Sequence, residues 1–145
     1  MTSLSLCAFR SFVTEENLLK YAELAKEWGA GFIRLLEPRE AGRYKGKDIR
    51  LEKNQIDILE NFFQETNSTV KFRIYPLVTY PGYHQRRIGC LGAGHRYLYI
   101  DSSGEIHVCP FCQRSAGNAV NDQLPEAIAL LKNSGCQEYK MNFIQ

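Results

Sequence analysis

Cysteines with metal-binding spacing occupy the C-terminal part of this 145-residue chain. Four of the five cysteines lie there, at Cys90, Cys109, Cys112 and Cys136. In Cys109-Pro-Phe-Cys112, the two-residue gap allows both sulfurs of one turn to face the same cation. The residues around Ser102-Ser103-Gly104 alternate as the two arms of a β-hairpin do. Such a hairpin would bring Cys90 near Cys109, and Cys136 could complete the site.

The cysteine pattern leaves several chemistries open. Four thiolates can hold a structural zinc ion, although such sites usually contain two paired knuckles. A thioredoxin-like CxxC would stand at the start of a helix, whereas "CPFCQRSAGN" runs into a glycine-ended loop. An iron–sulfur cluster tolerates irregular spacing, because each iron takes a single thiolate. Free cysteines without any metal are the remaining alternative.

Other residues near the cysteines have simpler interpretations. Cys7 lies apart from the others in an apolar segment, which predicts a small buried side chain. His95 and His107 flank the hairpin, and either could replace a thiolate. Tyr97 and Tyr99 alternate as a packed face does, so we expect both in the core.

The elements before the cysteines predict an α/β fold. Three apolar segments, 4–12, 31–38 and 70–78, are typical of strands, and helical patterns separate them. Strand–helix–strand–helix–strand order favours a parallel sheet with helical crossovers. Three strands are too few for a closed β/α barrel but could form a partial (half) barrel.

Local signals define the two predicted helices. Thr14 can cap the first, and Glu15 and Glu16 favour the positive end of its dipole. Residues near helical spacing predict the apolar face of that helix: Leu18, Leu19, Ala22, Ala25 and Trp28. In the second helix, within 51–67, the corresponding residues are Ile56, Leu59, Phe62 and Phe63.

The strand–helix alternation breaks at Pro81 and Gly82. We therefore predict two domains, a partial barrel at 1–80 and a small cysteine-rich extension at 81–145. The extension would contain the β-hairpin and a short helix at 124–133, whose first turn suits Pro125.

Composition excludes some partners and compartments. The 18 basic and 16 acidic side chains leave a formal charge of +2, which is too small to indicate nucleic acid or a membrane surface. The N-terminus has no signal-peptide pattern, and no apolar run approaches the ~18 residues of a membrane span. Five cysteines without a signal peptide indicate a reducing compartment, so a cytoplasmic location is expected.

The cysteine–hairpin segment resembles a known family. Cys90, thirteen residues, Gly104, four residues and Cys109 follow in the order that opens the SPASM/twitch extension. That extension follows the catalytic barrel in many radical S-adenosylmethionine (SAM) enzymes. The downstream "GNAVNDQLPEAI" is similar to the family's Gly-Asn and short helix, and 24–63 resembles the second half of a radical SAM barrel.

Two features depart from this family. The CxxxCxxC segment that holds the SAM-cleaving cluster is absent, and "QRSAGNAVNDQ" lacks the further cysteines of a full SPASM set. The resemblance therefore implies a C-terminal fragment of a radical SAM enzyme with at most one auxiliary cluster, as in the twitch form. Such a fragment should not cleave SAM by itself, so whether it is an enzyme in its own right stays open.

The resemblance also implies ligands and partners. Cys90, Cys109, Cys112 and Cys136 would hold one auxiliary [4Fe–4S] cluster, which in the family anchors substrate or conducts electrons. Strand ends in these barrels contact SAM and substrate, which makes Arg10, Ser11, Arg34 and Glu37 the candidate contacts here. An Arg34–Glu37 structural pair is the alternative. The expected partners are the missing N-terminal barrel half and a peptide, protein or small-molecule substrate. The alternative function is a non-catalytic zinc-binding interaction module.

Overall fold

The computed structural model describes residues 1–90, 92, 95–112, 114–136 and 138–139. The chain forms two compact units, Met1–Tyr83 and His84–Gln145. The first contains a three-stranded parallel sheet and the second a separate three-stranded antiparallel sheet, so the fold is mixed α/β. This division falls close to the boundary that the sequence predicts at residue 80.

The first unit follows the predicted strand–helix order. It consists of β1 (Ser3–Cys7), α1 (Glu15–Glu27), β2 (Phe32–Leu36), α2 (Lys53–Ser68) and β3 (Leu77–Thr79). The strands lie in the order β1-β2-β3, and both pairs are parallel. The parallel sheet with helical crossovers is therefore confirmed.

Helix α1 begins where the sequence predicts. The Thr14 hydroxyl accepts a hydrogen bond from the Asn17 backbone N–H at 3.1 Å, which satisfies one of the unpaired donors of the first turn. Leu18, Ala22 and Ala25 are buried, as expected. Trp28 is 66% exposed, so its predicted place on the apolar face is wrong. The helix ends at Glu27, and Trp28 as its C-cap leaves the helical periodicity.

The parallel sheet has helices on one face only. On that face Leu4, Leu6, Ile33, Leu35 and Val78 pack into a core with Leu18, Ala22 and Leu59 from the helices. The opposite face, which we call the open face, consists of exposed or half-buried residues: Ser3, Ser5, Cys7, Phe32, Arg34, Leu36, Leu77 and Thr79. Cys7 is exposed, and the prediction that it is buried is wrong.

The third predicted strand is mostly not a strand. Residues Val70–Phe72 form a one-turn 3-10 helix, and only Leu77–Thr79 pair with β2. Pro76, directly before β3, lacks the N–H that a strand needs. The Asn67 side chain bonds both backbone groups of Val78, at 2.8 and 3.0 Å. Since Asn67 satisfies the backbone of β3 there, β1 is the strand edge better suited to accept another strand.

The second unit combines predicted and unpredicted elements. A helix, α3 (Pro81–Ile88), crosses the division between the units; it is followed by β4 (Tyr99–Ile100), β5 (Glu105–His107), β6 (Ser115–Asn118) and α4 (Leu124–Ser134). The hairpin of β4 and β5 and the helix α4 are confirmed. The sequence did not predict α3 or β6. Proline at the start of α3 opens the helix, because a first-turn N–H needs no partner.

A small apolar cluster holds the second unit together. Ile106, Val108, Ala127 and Leu131 are buried in it. Tyr97 and Tyr99 are 49% and 38% exposed, so their predicted place in the core is wrong. The strands of this unit cover one side of a very small core. Side chains that point to the other side of the strands therefore lie in solvent.

Polar side chains fix the hairpin turn. One Asp101 carboxylate oxygen accepts hydrogen bonds from the backbone N–H groups of Ser103 and Glu105, at 2.8 and 3.0 Å. Those backbone bonds lower the pKa of Asp101. Its other oxygen lies 3.3 Å from Nε2 of the buried His107. His107 therefore has a structural partner, and its predicted alternative role as a metal ligand gains no support.

The two faces of the first sheet can be compared in adjacent residues. We expect Leu35→Ala to lower the free energy of unfolding by about 2–5 kcal/mol, because it leaves a cavity in the core. Leu36→Ala, on the open face, should cost less than about 1 kcal/mol. Urea unfolding of both variants measures this. Equal losses would show that the open face is covered in solution.

Candidate metal centre and sheet edge

The carboxyl ends of the parallel strands carry the predicted SAM contacts. Ligands of α/β sheets bind at this edge. Arg10 lies in the turn after β1, where its guanidinium forms two bonds to Asp48, at 3.1 and 2.7 Å. Its Nε donates to the Arg50 carbonyl at 2.5 Å. The bonds to Asp48 raise the pKa of Arg10. Arg10 thus ties the loop before α2 to the end of β1.

Glu37 joins the ends of two strands. The Tyr80 hydroxyl donates to its carboxylate at 2.7 Å, and an Arg39 guanidinium nitrogen lies 4.0 Å from its other oxygen. The side chains of Arg39 and Glu37 are 15% and 10% exposed. Tyr80 follows β3 and is almost completely buried. Sequence reasoning missed Tyr80, although a buried tyrosine hydroxyl normally needs such a partner.

The other two predicted contacts lie elsewhere on the unit. Arg34 is exposed on the open face, in register with Ser5 of β1 and Thr79 of β3. Ser11 is exposed in the turn after β1. The structure therefore places Arg10, Ser11 and Glu37 in the loops that follow the strands, and Arg34 on the sheet itself.

Cys90 is the most buried of the four candidate metal ligands, with 4% of its surface exposed. The Gly92 backbone N–H lies 3.4 Å from its Sγ. A side chain at Gly92 would be crowded, since its Cβ would come within 3.1 Å of the Val108 carbonyl and 3.2 Å of the Tyr97 ring. Glycine at this position therefore allows the loop to close over the sulfur.

Cys136 reaches the same region from the other end of the unit. It follows α4, and the Tyr139 backbone N–H lies 3.4 Å from its Sγ. The Tyr139 carbonyl in turn accepts a hydrogen bond from the Cys90 backbone N–H at 3.1 Å. This contact connects the segments that carry Cys136 and Cys90.

Cys109 and Cys112 form the predicted turn. The Cys112 backbone N–H donates to the Cys109 carbonyl at 3.1 Å, directly after β5. Cys112 and Cys136 both pack against the cluster of Ile106, Val108, Ala127 and Leu131. One small core thus holds two of the cysteines near the end of β5.

Burial and the charges of two other cysteines act on the Cys90 thiol. Burial raises the pKa of Cys90, and the negative charges of Cys136 and Cys109 raise it further. Hydrogen bonds from Gly92 and from the Tyr97 hydroxyl oppose this rise. The thiols of Cys109 and Cys136 therefore lie near enough to Cys90 for their charges to act on it.

These neighbouring thiols do not form the tight shell of a single ion. Within the residues that the structure describes, no three His, Cys, Asp or Glu side chains are grouped so that they could hold one metal ion. The donors nevertheless suit a soft metal, because they are thiols, and two of them receive backbone N–H bonds. Thiol donors of this kind are used by both zinc sites and iron–sulfur clusters.

The position of Tyr97 near Cys90 was not predicted from the sequence. Burial raises its pKa to about 12, and the next causes are the charge of Cys90 and a hydrogen bond to that thiol. The alternation of Tyr97 with Tyr99 gave no sign of this contact. A glycine two residues after a cysteine was the available signal, since it allows a ring to approach the loop.

A groove of about 550 Å³ lies on the first unit between α1 and α2. Glu15, Leu19, Phe62 and Lys71 are among its lining residues, and it contains none of the predicted site residues. Its walls are surface positions of two helices, with no convergent reactive groups. We therefore place the candidate chemistry at the cysteines and the sheet edge.

The comparisons with known proteins identify no family: no protein-family model matches the chain, and no curated protein matches it. In the described segments, none of the helices is both long enough and apolar enough to cross a membrane.

The Tyr97 contact can be tested in the reduced, metal-free chain. Because its folded-state pKa of about 12 exceeds the ordinary 10.0, Tyr97 contributes stability fully below pH 10, and this stability is lost as the pH rises through 12. An alkaline titration of tyrosinate absorbance should lose a transition near pH 12 in Tyr97→Phe. Tyr99→Phe is the control and should keep it. A curve for Tyr97→Phe that retained this transition would contradict the contact.

Proposed function

We propose that this chain is the C-terminal part of a radical SAM enzyme and that its second unit binds one auxiliary [4Fe–4S] cluster. The contacts that join three cysteine-bearing segments carry the proposal. The Cys90 N–H donates to the Tyr139 carbonyl, the Tyr139 N–H lies 3.4 Å from the Cys136 sulfur, and Gly92 lies against the Val108 carbonyl, next to Cys109. Cys112 would be the fourth ligand, because its turn joins it to Cys109. When bound, the cluster would supply an iron that anchors substrate or a site that passes electrons.

Zinc sites and iron–sulfur clusters differ in the separation of their thiolates. A zinc ion with four thiolates at about 2.3 Å brings the sulfurs to about 4 Å from one another. In a cluster each thiolate binds a different iron, so the sulfurs stand farther apart. The segments around them are loops, and these could adjust when metal binds.

The open face supports the half-barrel interpretation of the first unit. Parallel sheets normally have both faces covered. In a β/α barrel the helices all lie outside, and the other face of the sheet lines the interior. Helices on one face and a mixed polar and apolar open face fit such an arrangement. The N-terminal barrel half that the proposal requires would pair with the edge of β1.

In the intact enzyme, the predicted SAM and substrate contacts would differ in their roles. Arg34 lies on the face that would line the barrel, where its charge could meet a carboxylate. Arg10 and Glu37 already hold Asp48 and Tyr80, so they would mainly shape the loops around the ligand. Ser11 would lie beside them. The substrate would be a peptide, a protein or a small molecule, and the free thiols suit the reducing cytoplasm.

Metal analysis with matched cysteine variants tests the cluster. After anaerobic purification and reconstitution, we expect iron, acid-labile sulfide and a broad absorption in the blue region. Cys90→Ala should lose most of all three, because one iron loses its thiolate. Cys7→Ala should retain them, since Cys7 is exposed in the first unit.

Two outcomes would contradict this assignment. One zinc ion per chain without sulfide would replace the cluster with the zinc-binding interaction module. Equal iron and sulfide in Cys90→Ala and Cys7→Ala would remove Cys90 from the ligand set. Circular dichroism of each variant shows whether a loss of metal merely reflects a loss of fold.

A further inference from the structure

The two edges of the parallel sheet differ in how their backbone groups are bonded. The Leu77 N–H donates to the Gly31 carbonyl, so by alternation the N–H and C=O of Val78 point away from β2. The Asn67 side chain bonds both of these groups, at 2.8 and 3.0 Å. Pro76, directly before β3, has no N–H to offer a neighbouring strand. The β3 edge is therefore closed to a further strand.

The β1 edge is open instead. The Thr2 carbonyl and the Ala8 N–H, directly before and after β1, both bond to β2. The even-numbered residues of β1 therefore face β2, and the N–H and C=O groups of Ser3, Ser5 and Cys7 point outward. Among the residues that the structure describes, none bonds to the outward groups of Ser3 and Ser5. These groups are free to pair with another strand.

Strand β1 also lacks the features that keep edge strands of natural proteins apart. Such edges are usually protected by charged side chains, by proline or by a bulge. The strand reads Ser-Leu-Ser-Leu-Cys, without a charge or a proline, and it pairs with β2 in unbroken register. Leu4 and Leu6 on its core face are only half-buried. A partner strand would therefore cover apolar side chains as well as backbone groups.

We propose that the β1 edge binds the β1 edge of a second copy of this chain, as an antiparallel pair whose twofold axis passes through Ser5. The two Ser5 residues would exchange both of their backbone hydrogen bonds, and Ser3 of each copy would lie opposite Cys7 of the other. On the core face, Leu4 would lie opposite Leu6 in a non-hydrogen-bonded pair, where side chains are closest. A second copy suits this edge because the pattern is self-complementary and brings no like charges together.

The closed β3 edge limits this association to two copies, which would share one six-stranded sheet. An edge of five residues is small beside the about 800 Å² per partner of a standard interface, so we expect a reversible dimer. The inference does not depend on the proposed metal centre. The N-terminal barrel half of the proposed function would use the same edge, so it and a second copy would exclude each other. The pairing proposed here is that of the 145-residue chain by itself.

Analytical ultracentrifugation of the reduced full-length chain tests the dimer. From micromolar to millimolar concentration, the mass should rise from 16.6 kDa towards twice that value. Ser5→Pro should stay monomeric, because it removes the central outward N–H, and an edge strand tolerates proline where the N–H faces solvent. Ser5→Thr is the matched control and should dimerise like the unmodified chain. A chain that is monomeric throughout, or a dimer that Ser5→Pro leaves intact, would overturn the proposal.

A cross-linking variant keeps the test decisive if Ser5→Pro fails to fold. Facing residues of a hydrogen-bonded antiparallel pair have Cα atoms about 5.5 Å apart, which suits a disulfide. Ser5→Cys in a Cys7→Ser chain should therefore form a covalent dimer through residue 5 when oxidised glutathione is added, as peptide mapping would show. Ser11→Cys in the same chain is the control, since Ser11 is exposed but lies beyond the strand. Absence of the link through residue 5 would overturn the pairing and leave the metal centre standing, whereas a chain that dimerises but binds no metal would overturn only the proposed function.

Discussion

One-sided cover of a parallel sheet determines the character of the first unit. Successive side chains of a strand point to opposite faces, so Ile33 and Leu35 enter the core while Arg34 and Leu36 lie on the open face. Parallel sheets rarely leave a whole face uncovered. The exposure of Cys7, the position of Arg34 and the proposed barrel interior all depend on the fact that α1 and α2 share one side.

The second unit has a different limitation, a core of four buried apolar side chains. Cores of this size give small domains little stability, and metals or disulfides commonly supplement them. Side-chain hydrogen bonds also stabilise the hairpin turn, where Asn118 donates to the Ser103 carbonyl and to Glu105, both at 3.0 Å. A metal held by thiols of separate segments, as proposed, would add such a cross-link.

The sequence predicted those elements whose signals are local. The Thr14 cap, the turn before Glu105 and the proline in the first turn of α4 each depend on a few neighbouring residues. Predictions that needed tertiary information were wrong. The 70–78 segment looks apolar enough for a strand, but Pro76 and the side chain of Asn67 restrict β3 to three residues. Trp28 fits a helical period that ends one residue earlier.

The candidate ligands were predictable from spacing, but the groups that surround them were not. A hairpin must return the chain toward its start, which is why Cys90 and Cys109 could be paired from the sequence. The Gly92 N–H contacts the sulfur of Cys90, two residues earlier, and the Tyr139 N–H contacts the sulfur of Cys136, three residues earlier. Contacts over so short a stretch of chain could have been predicted from the sequence. The approach of the Tyr97 ring to this loop depends on the path of the chain after Cys90 and on the absence of a side chain at Gly92. Because the same thiolates could bind zinc or an iron–sulfur cluster, the pattern of cysteines in the sequence does not distinguish the two, and the separation of the sulfurs in the folded, metal-loaded chain would.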